Sequence, residues 1–271
     1  MSKSSGAPLK VLVLVKYVPD AQFPRHFGPD NRLVREESIL SELDEYAVET
    51  ALEISEAHGG EKVSPVTVLT IGRPEASAAV KKALQMGAAS GVHVSDDAIA
   101  GSDALATSRV LEAAVRRLAP DVVVTGMSST DAETGVLPSM LAARLGWPQL
   151  TLASGDVSVS EDATTLSARR DEDAEVLQLR ATLPAVLSVT DQANEPRYPN
   201  FKSILGARKK PVQTLSLAEL GLDAALVGAA GSGVSVLEAG DAPARAAGRV
   251  IVDDGQAGVA LVDFLAERNL I

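Results

Sequence analysis

Chemistry in this chain is concentrated in one small-residue loop, Gly126-Met-Ser-Ser-Thr-Asp-Ala-Glu-Thr-Gly135. It follows a run of three valines and precedes an apolar helix pattern. Backbone N–H groups in such a loop can converge on an anion, helped by the positive end of the helix dipole. The loop holds no Lys or Arg, while Asp131 and Glu133 are acidic. A phosphate there would rest on amides and on the hydroxyls of Ser128, Ser129, Thr130 and Thr134. That suits one structural phosphate better than a triphosphate under cleavage. A Walker lysine is absent, and so is the glycine-rich dinucleotide fingerprint after the first strand. An ordinary loop with a helix cap explains the same residues, and both readings stay open on this ground alone.

A second block, Asn194-Glu-Pro-Arg-Tyr-Pro-Asn-Phe-Lys-Ser-Ile-Leu-Gly-Ala-Arg-Lys-Lys210, has five basic residues against one acidic between 195 and 210, a local net of +4 on a chain of −11. Phe201 stands there among polar neighbours. A basic segment with one apolar residue suits docking to an acidic partner. The blander alternative, which patterning favours, is a charged helix start with Phe201 turned into the core. No Ser/His/Asp arrangement or working carboxylate pair is visible. The histidines number three, with no metal-cage spacing. His93 reads as structural, His26 lies where ligand contact is open, and Lys16 with Asp20 suits a salt bridge at the sheet mouth.

The elements that must position these residues follow from patterning. Leu9 to Val18 reads as a buried strand. Ser41 can cap a helix to about His58, closed by Gly59-Gly60. Val63 to Ile71, Ala88 to Val94 and Asp121 to Thr125 read as strands, with helices from Pro74 to Met86, from Ser102 to Leu118, and up to Leu145. Strand and helix thus alternate four times, which predicts an α/β fold with a doubly wound, mainly parallel sheet. Three short strands near 150–158, 163–170 and 175–181 predict a small antiparallel section, and Pro184 to Val189 a return to the buried sheet. Residues 1–220 are expected as the main domain and 221–271 as a C-terminal arm. In a parallel sheet, ligands sit beyond the carboxyl ends of the strands at the switch in strand order.

Apolar residues make up 46% of the 271 and aromatics 3%, so the core is aliphatic and a base-stacking nucleic-acid reader is a poor fit. The net charge of −11 argues the same way. With no cysteine, disulfides and thiolate chemistry are excluded. The polar start and short apolar runs predict a cytoplasmic protein without membrane insertion.

Several motifs together resemble the beta subunit of electron transfer flavoproteins. They are Val13-Leu-Val-Lys16, Asp44-Glu-Tyr-Ala-Val-Glu49, Ala83-Leu-Gln-Met-Gly87, Gly146-Trp-Pro-Gln149, Thr151-Leu-Ala-Ser154, Pro184-Ala-Val186 and Asn194-Glu-Pro-Arg-Tyr198 with the run to Lys210. The resemblance implies a Rossmann-like adenine-nucleotide-binding fold that buries AMP. Its AMP positions correspond to Leu14, to Ser41, Glu42, Leu43 and Asp44, to Ile71, and to Gly126 through Leu137. These include Ser129, Thr130, Asp131, Ala132, Glu133, Thr134, Gly135 and Val136. FAD would be held mainly by an alpha subunit, with Leu43 and Ala21 standing where relatives carry aromatics near the flavin. The basic block corresponds to a recognition loop, partner-binding through Asn194, Glu195, Pro196, Arg197, Tyr198, Phe201, Lys202 and Ile204, with Phe201 as anchor. The arm would pack on the alpha subunit. The implied function is non-catalytic transfer of electrons from flavoprotein dehydrogenases, such as acyl-CoA dehydrogenases, to a quinone oxidoreductase. Rival expectations are a second FAD in place of AMP in a bifurcating flavoprotein, and a free-standing nucleotide-binding stress or signalling protein.

Overall fold

Side chains alternate across a strand, and the first strand shows what that does here. Val11 and Val13 point to one face and Leu12 to the other, and all three are buried, so both faces must be covered by helices. The computed structural model describes residues 7–240, 242–244, 248 and 250–271. Its chain falls into two units, the first running to Glu238 and the second from Ala239 to Ile271.

The elements are, in order, β1 (Val11–Leu14), β2 (Tyr17–Pro19), β3 (Ser38–Leu40), α1 (Glu42–Ala57), β4 (Val66–Ile71), α2 (Ser77–Met86), β5 (Ser90–Val94), α3 (Ala104–Leu118), β6 (Val122–Gly126) and α4 (Leu137–Leu145). They continue with β7 (Gln149–Ala153), β8 (Gly155–Val159), β9 (Thr165–Asp171), β10 (Val176–Thr182), β11 (Ala185–Val189), α5 (Phe201–Ala207), β12 (Val212–Leu215), α6 (Gly228–Gly231) and, in the second unit, α7 (Ala257–Glu267). The main sheet has the order β12-β5-β4-β1-β6-β11-β7, with every pairing parallel. Strands β8, β9 and β10 form a small antiparallel sheet.

One core layer packs Val11, Val13 and Val124 against Ala47, Val48 and Ala51 of α1 and Val80 and Leu84 of α2. The other packs Leu12, Leu69 and Val123 against Val110 and Ala114 of α3 and Leu141 and Leu145 of α4. The doubly wound α/β sheet expected from the alternation is therefore present.

Four details differ from the sequence reading. The expected strand near 150–158 is two strands, because β7 pairs in parallel with β11 while β8 turns away to pair with β9. Helix α3 is capped by Asp103, which accepts from Ala106 N–H at 2.8 Å, and not by Ser102. Ser102 instead accepts from Gly228 N–H at 2.8 Å. That bond belongs to the third difference: the first unit continues past the boundary expected at residue 220. Asp103 accepts from Gly233 and Val234 N–H, Arg109 donates to the Leu226 carbonyl, and Val227 is buried. Finally, the charged helix start at Phe201 is present as α5, but with Phe201 exposed, and β12 has no counterpart in the sequence reading. Helix α5 buries no residue, and β12 is a mostly exposed edge strand, so neither carries a core pattern.

Candidate functional site

The sheet extends outward from β1 through β4 and β5 on one side and from β6 through β11 to β7 on the other. The switch in strand order therefore lies between β1 and β6, where a parallel sheet binds its ligands. Leu14 ends β1, Ile71 ends β4, Gly126 ends β6, and Ser41 to Asp44 open α1. The expected nucleotide positions thus come from four separate elements at one edge of the sheet.

Two devices hold that edge together. Asp44 is buried and accepts from the backbone N–H of Lys16 at 2.7 Å and from that of Gly126, so one carboxyl ties α1 to the ends of β1 and β6. Gly126 permits the approach. A Cβ built there would lie 2.7 Å from Asp44 Oδ1 and 2.9 Å from the Leu43 carbonyl oxygen. Ser41 is also buried, yet its side chain makes no capping bond and its Oγ has no hydrogen-bond partner. A buried hydroxyl left free is costly, and a bound polar ligand would satisfy it.

The cationic charge missing from the loop is supplied from elsewhere in the chain. Lys16 Nζ lies 2.8 Å from Asp131 Oδ1 and 3.2 Å from Ser129 Oγ. Arg35 donates to the other Asp131 oxygen and to the Tyr17 carbonyl. Arg73 in turn donates to the Arg35 carbonyl. Burial disfavours the charged form of Asp131, but the Lys16 ammonium and the bonds from Lys16, Arg35 and Ser129 outweigh it and hold the carboxyl well below the usual range. The salt bridge expected between Lys16 and Asp20 is not the one formed: Lys16 pairs with Asp131. Asp20 instead accepts from Gln22 N–H in a local turn. Lys16 and Arg35 thus stand at a loop that has no cation of its own, both paired with Asp131. Ala132, Glu133, Thr134, Gly135 and Val136 are solvent-exposed, as is Glu42, while Leu14, Leu43, Ile71 and Leu137 are half-buried.

Burial pushes the Asp44 carboxyl up to about 7, against the Lys16 backbone bond, the Lys16 charge and the Gly126 backbone bond, with the Asp131 charge adding to the rise. Between the unfolded value of 3.8 and about 7 the folded chain binds more of this proton than the unfolded chain. Asp44 therefore makes stability fall as pH rises through that window, and contributes no further change above it. Urea unfolding of the wild type and Asp44→Asn should show this as a difference. From pH 5 to pH 8 the wild type is expected to lose about 2–3 kcal/mol relative to the variant. A pH-independent difference would contradict the assignment.

The second block divides in two. Asn194 Nδ2 donates to the Tyr46 carbonyl at 3.0 Å and to Thr50 Oγ1 at 2.8 Å. Arg197 Nη2 and Nε reach the buried Glu49 carboxylate at 2.7 and 2.8 Å, its backbone N–H reaches the same group at 3.0 Å, and Nη1 reaches Glu56 at 2.6 Å. Lys210 Nζ binds the Ala88 carbonyl at 2.6 Å and the Gly87 carbonyl at 3.2 Å, at the end of α2. Asn194, Arg197 and Lys210 are thus engaged with their own chain. Pro196 and Ile204 are half-buried, and Glu195 and Lys202 are exposed. Tyr198 is 89% exposed and Phe201, first residue of α5, is 76% exposed, so Phe201 is not turned into the core. His93 is buried against the Gly72 carbonyl, consistent with a structural role, and His26 is exposed.

A family model for the electron transfer flavoprotein domain matches residues 32–220. An electron transfer flavoprotein subunit beta from Mycobacterium bovis is 40% identical over 266 residues, covering 96% of this chain and 99% of that protein. The chain belongs to the electron transfer flavoprotein beta-subunit family. A beta subunit from Mycobacterium leprae is likewise 40% identical over 266 residues, covering 96% of this chain and 99% of its own. One from Thermoanaerobacterium thermosaccharolyticum is 31% identical over 267 residues, covering 97% of this chain and 100% of its own. Electron transfer flavoproteins are flavin-dependent carriers, so the activity to which this beta subunit contributes is electron transfer. Among the described residues no helix is long and apolar enough to cross a membrane.

Proposed function

We propose that the chain is the small subunit of a heterodimer with an electron transfer flavoprotein alpha subunit, and that it buries AMP as a structural ligand. The observation that carries this is the cradle at the strand-order switch, where Gly126 lets α1 close on β6, Ser41 Oγ lacks a partner and two cations stand beside the loop. Residues Gly126 to Leu137 would hold the phosphate through backbone N–H groups and hydroxyls, with Lys16 and Arg35 balancing its charge. Leu14 and Ile71 offer half-buried apolar surface for the adenine. FAD, held mainly by the alpha subunit, supplies the redox chemistry when bound, and this chain shields and orients it.

No catalytic residues are assigned to this subunit. Tyr198, Phe201 and Lys202 form the docking surface for flavoprotein dehydrogenases, acyl-CoA dehydrogenases among them, and a quinone oxidoreductase takes the electrons onward. The cytoplasm is the compartment that suits such a carrier. In the second unit α7 buries none of its residues, and Val259, Leu261 and Val262 are exposed, which suits an arm packed on the alpha subunit.

Co-expression with the alpha subunit, followed by identification of released nucleotides, tests the reading. One FAD and one AMP per heterodimer is the expected result. Two FAD and no AMP would replace it with a bifurcating flavoprotein. Failure to form a complex or retain flavin would favour a free-standing nucleotide-binding protein.

A further inference from the structure

Helix α1 is built into both functional regions of the chain. At its first turn, Asp44 is bonded to the backbone at the ends of β1 and β6, and the Leu43 carbonyl lies against Gly126. Two to twelve residues further on, the same helix supplies the Tyr46 carbonyl, Thr50 Oγ1, Glu49 and Glu56, the acceptors that hold Asn194 and Arg197. Among the described residues, the side-chain hydrogen bonds made from Asn194 through Tyr198 all run to α1. Tyr198 and Phe201 follow directly along the chain and are exposed.

The Glu49–Arg197 pair gives this connection stiffness. Glu49 is 5% exposed, and a buried carboxylate is tolerated when a partner and further hydrogen bonds compensate it. The guanidinium meets it through Nε and Nη2, and the Arg197 backbone N–H adds a third donor, so the main chain of the segment itself is fixed to the helix. A helix of 16 residues, spanning about 24 Å, does not absorb a shift at one end by local bending. Whatever restrains its first turn also restrains the segment bonded to its side.

We infer that α1 couples the nucleotide cradle to the docking segment, with Glu49 and Asn194 as positioning residues. Filling the cradle orders the first turn of α1, and through Glu49 and Asn194 sets how Tyr198 and Phe201 are presented. The inference rests on the cradle binding AMP. A ligand that removes motion at one site lowers the ordering cost at the other, and the coupling is reciprocal: docking at Phe201 tightens the nucleotide by the same factor.

Hydrogen–deuterium exchange of the full-length chain, with and without AMP, separates the two readings. AMP is expected to slow exchange in peptides spanning 126–137 and also, by about tenfold, in peptides spanning 194–204. Glu49→Gln is expected to keep the first protection and lose the second. Arg197→Lys retains the charge but not the planar fork, and is expected to behave alike. A merely structural role for Glu49 would change exchange equally with and without AMP. The coupling is overturned if AMP protects 126–137 but leaves 194–204 unchanged in the wild type. It is equally overturned if both variants keep the distal protection. Absence of protection at 126–137 would instead remove the AMP reading, and the coupling with it.

Discussion

Gly126→Ala is expected to weaken AMP binding by about 10- to 100-fold and to lower thermal stability. The added Cβ would stand 2.7 Å from Asp44 Oδ1 and 2.9 Å from the Leu43 carbonyl oxygen. Asp44 cannot turn away cheaply, because it is buried and accepts from two backbone N–H groups. The Leu43 carbonyl is main chain at the opening of α1. Relief therefore requires the helix to move off β6, opening the edge where the nucleotide would lie. Overpacking of this kind costs about 1–3 kcal/mol, and each 1.4 kcal/mol is roughly tenfold in affinity. Calorimetric titration with AMP checks the expectation. Gly206→Ala is the matched control, since its added Cβ meets no atom within 4 Å. Unchanged AMP affinity in Gly126→Ala would show that the cradle lies elsewhere.

Phe201→Ala in the assembled heterodimer is expected to reduce kcat/KM for flavin reduction by an acyl-CoA dehydrogenase by about 30-fold, with assembly and melting temperature unchanged. Aromatic anchors at the centre of interfaces contribute about 2 kcal/mol or more, which sets the scale. A buried phenylalanine would lose about 3–5 kcal/mol of stability on truncation. At 76% exposure Phe201 has little burial to lose, so kinetics and stability separate cleanly. Stopped-flow reduction reads the effect. Full-speed reduction of the variant would remove Phe201 from the docking surface, and a large fall in melting temperature would show that α5 uses it for packing.

Strands β1, β4, β5, β6 and β11 were legible because each is rich in β-branched or aliphatic residues and largely buried on both faces. The break between β7 and β8 was not, since a parallel strand and an antiparallel one read alike over five residues each. Patterning offered a helix start at Phe201 but placed Phe201 in the core, whereas α5 buries none of its residues and so has no inward stripe.

The candidate site divides along the same line. Local composition singled out the small-residue loop and the basic block, because glycine, hydroxyl and charge content are properties of short segments, whereas the nucleotide positions at the start of α1 came from the family resemblance. What each charged residue does there depended on tertiary structure. Lys16 and Asp131 are separated by 115 positions, and Arg197 and Glu49 by 148. The sequence counted five basic residues in the block as one patch, and the fold divides them. Arg197 and Lys210 are taken up by α1 and the end of α2, while Lys202, Arg208 and Lys209 remain exposed. The loop that held no cation receives Lys16 and Arg35 from the ends of other elements. Sequence spacing determines which residues share an element, whereas charge pairing falls off with distance in space. Only the packing of the folded chain brings those distances down to hydrogen-bond length.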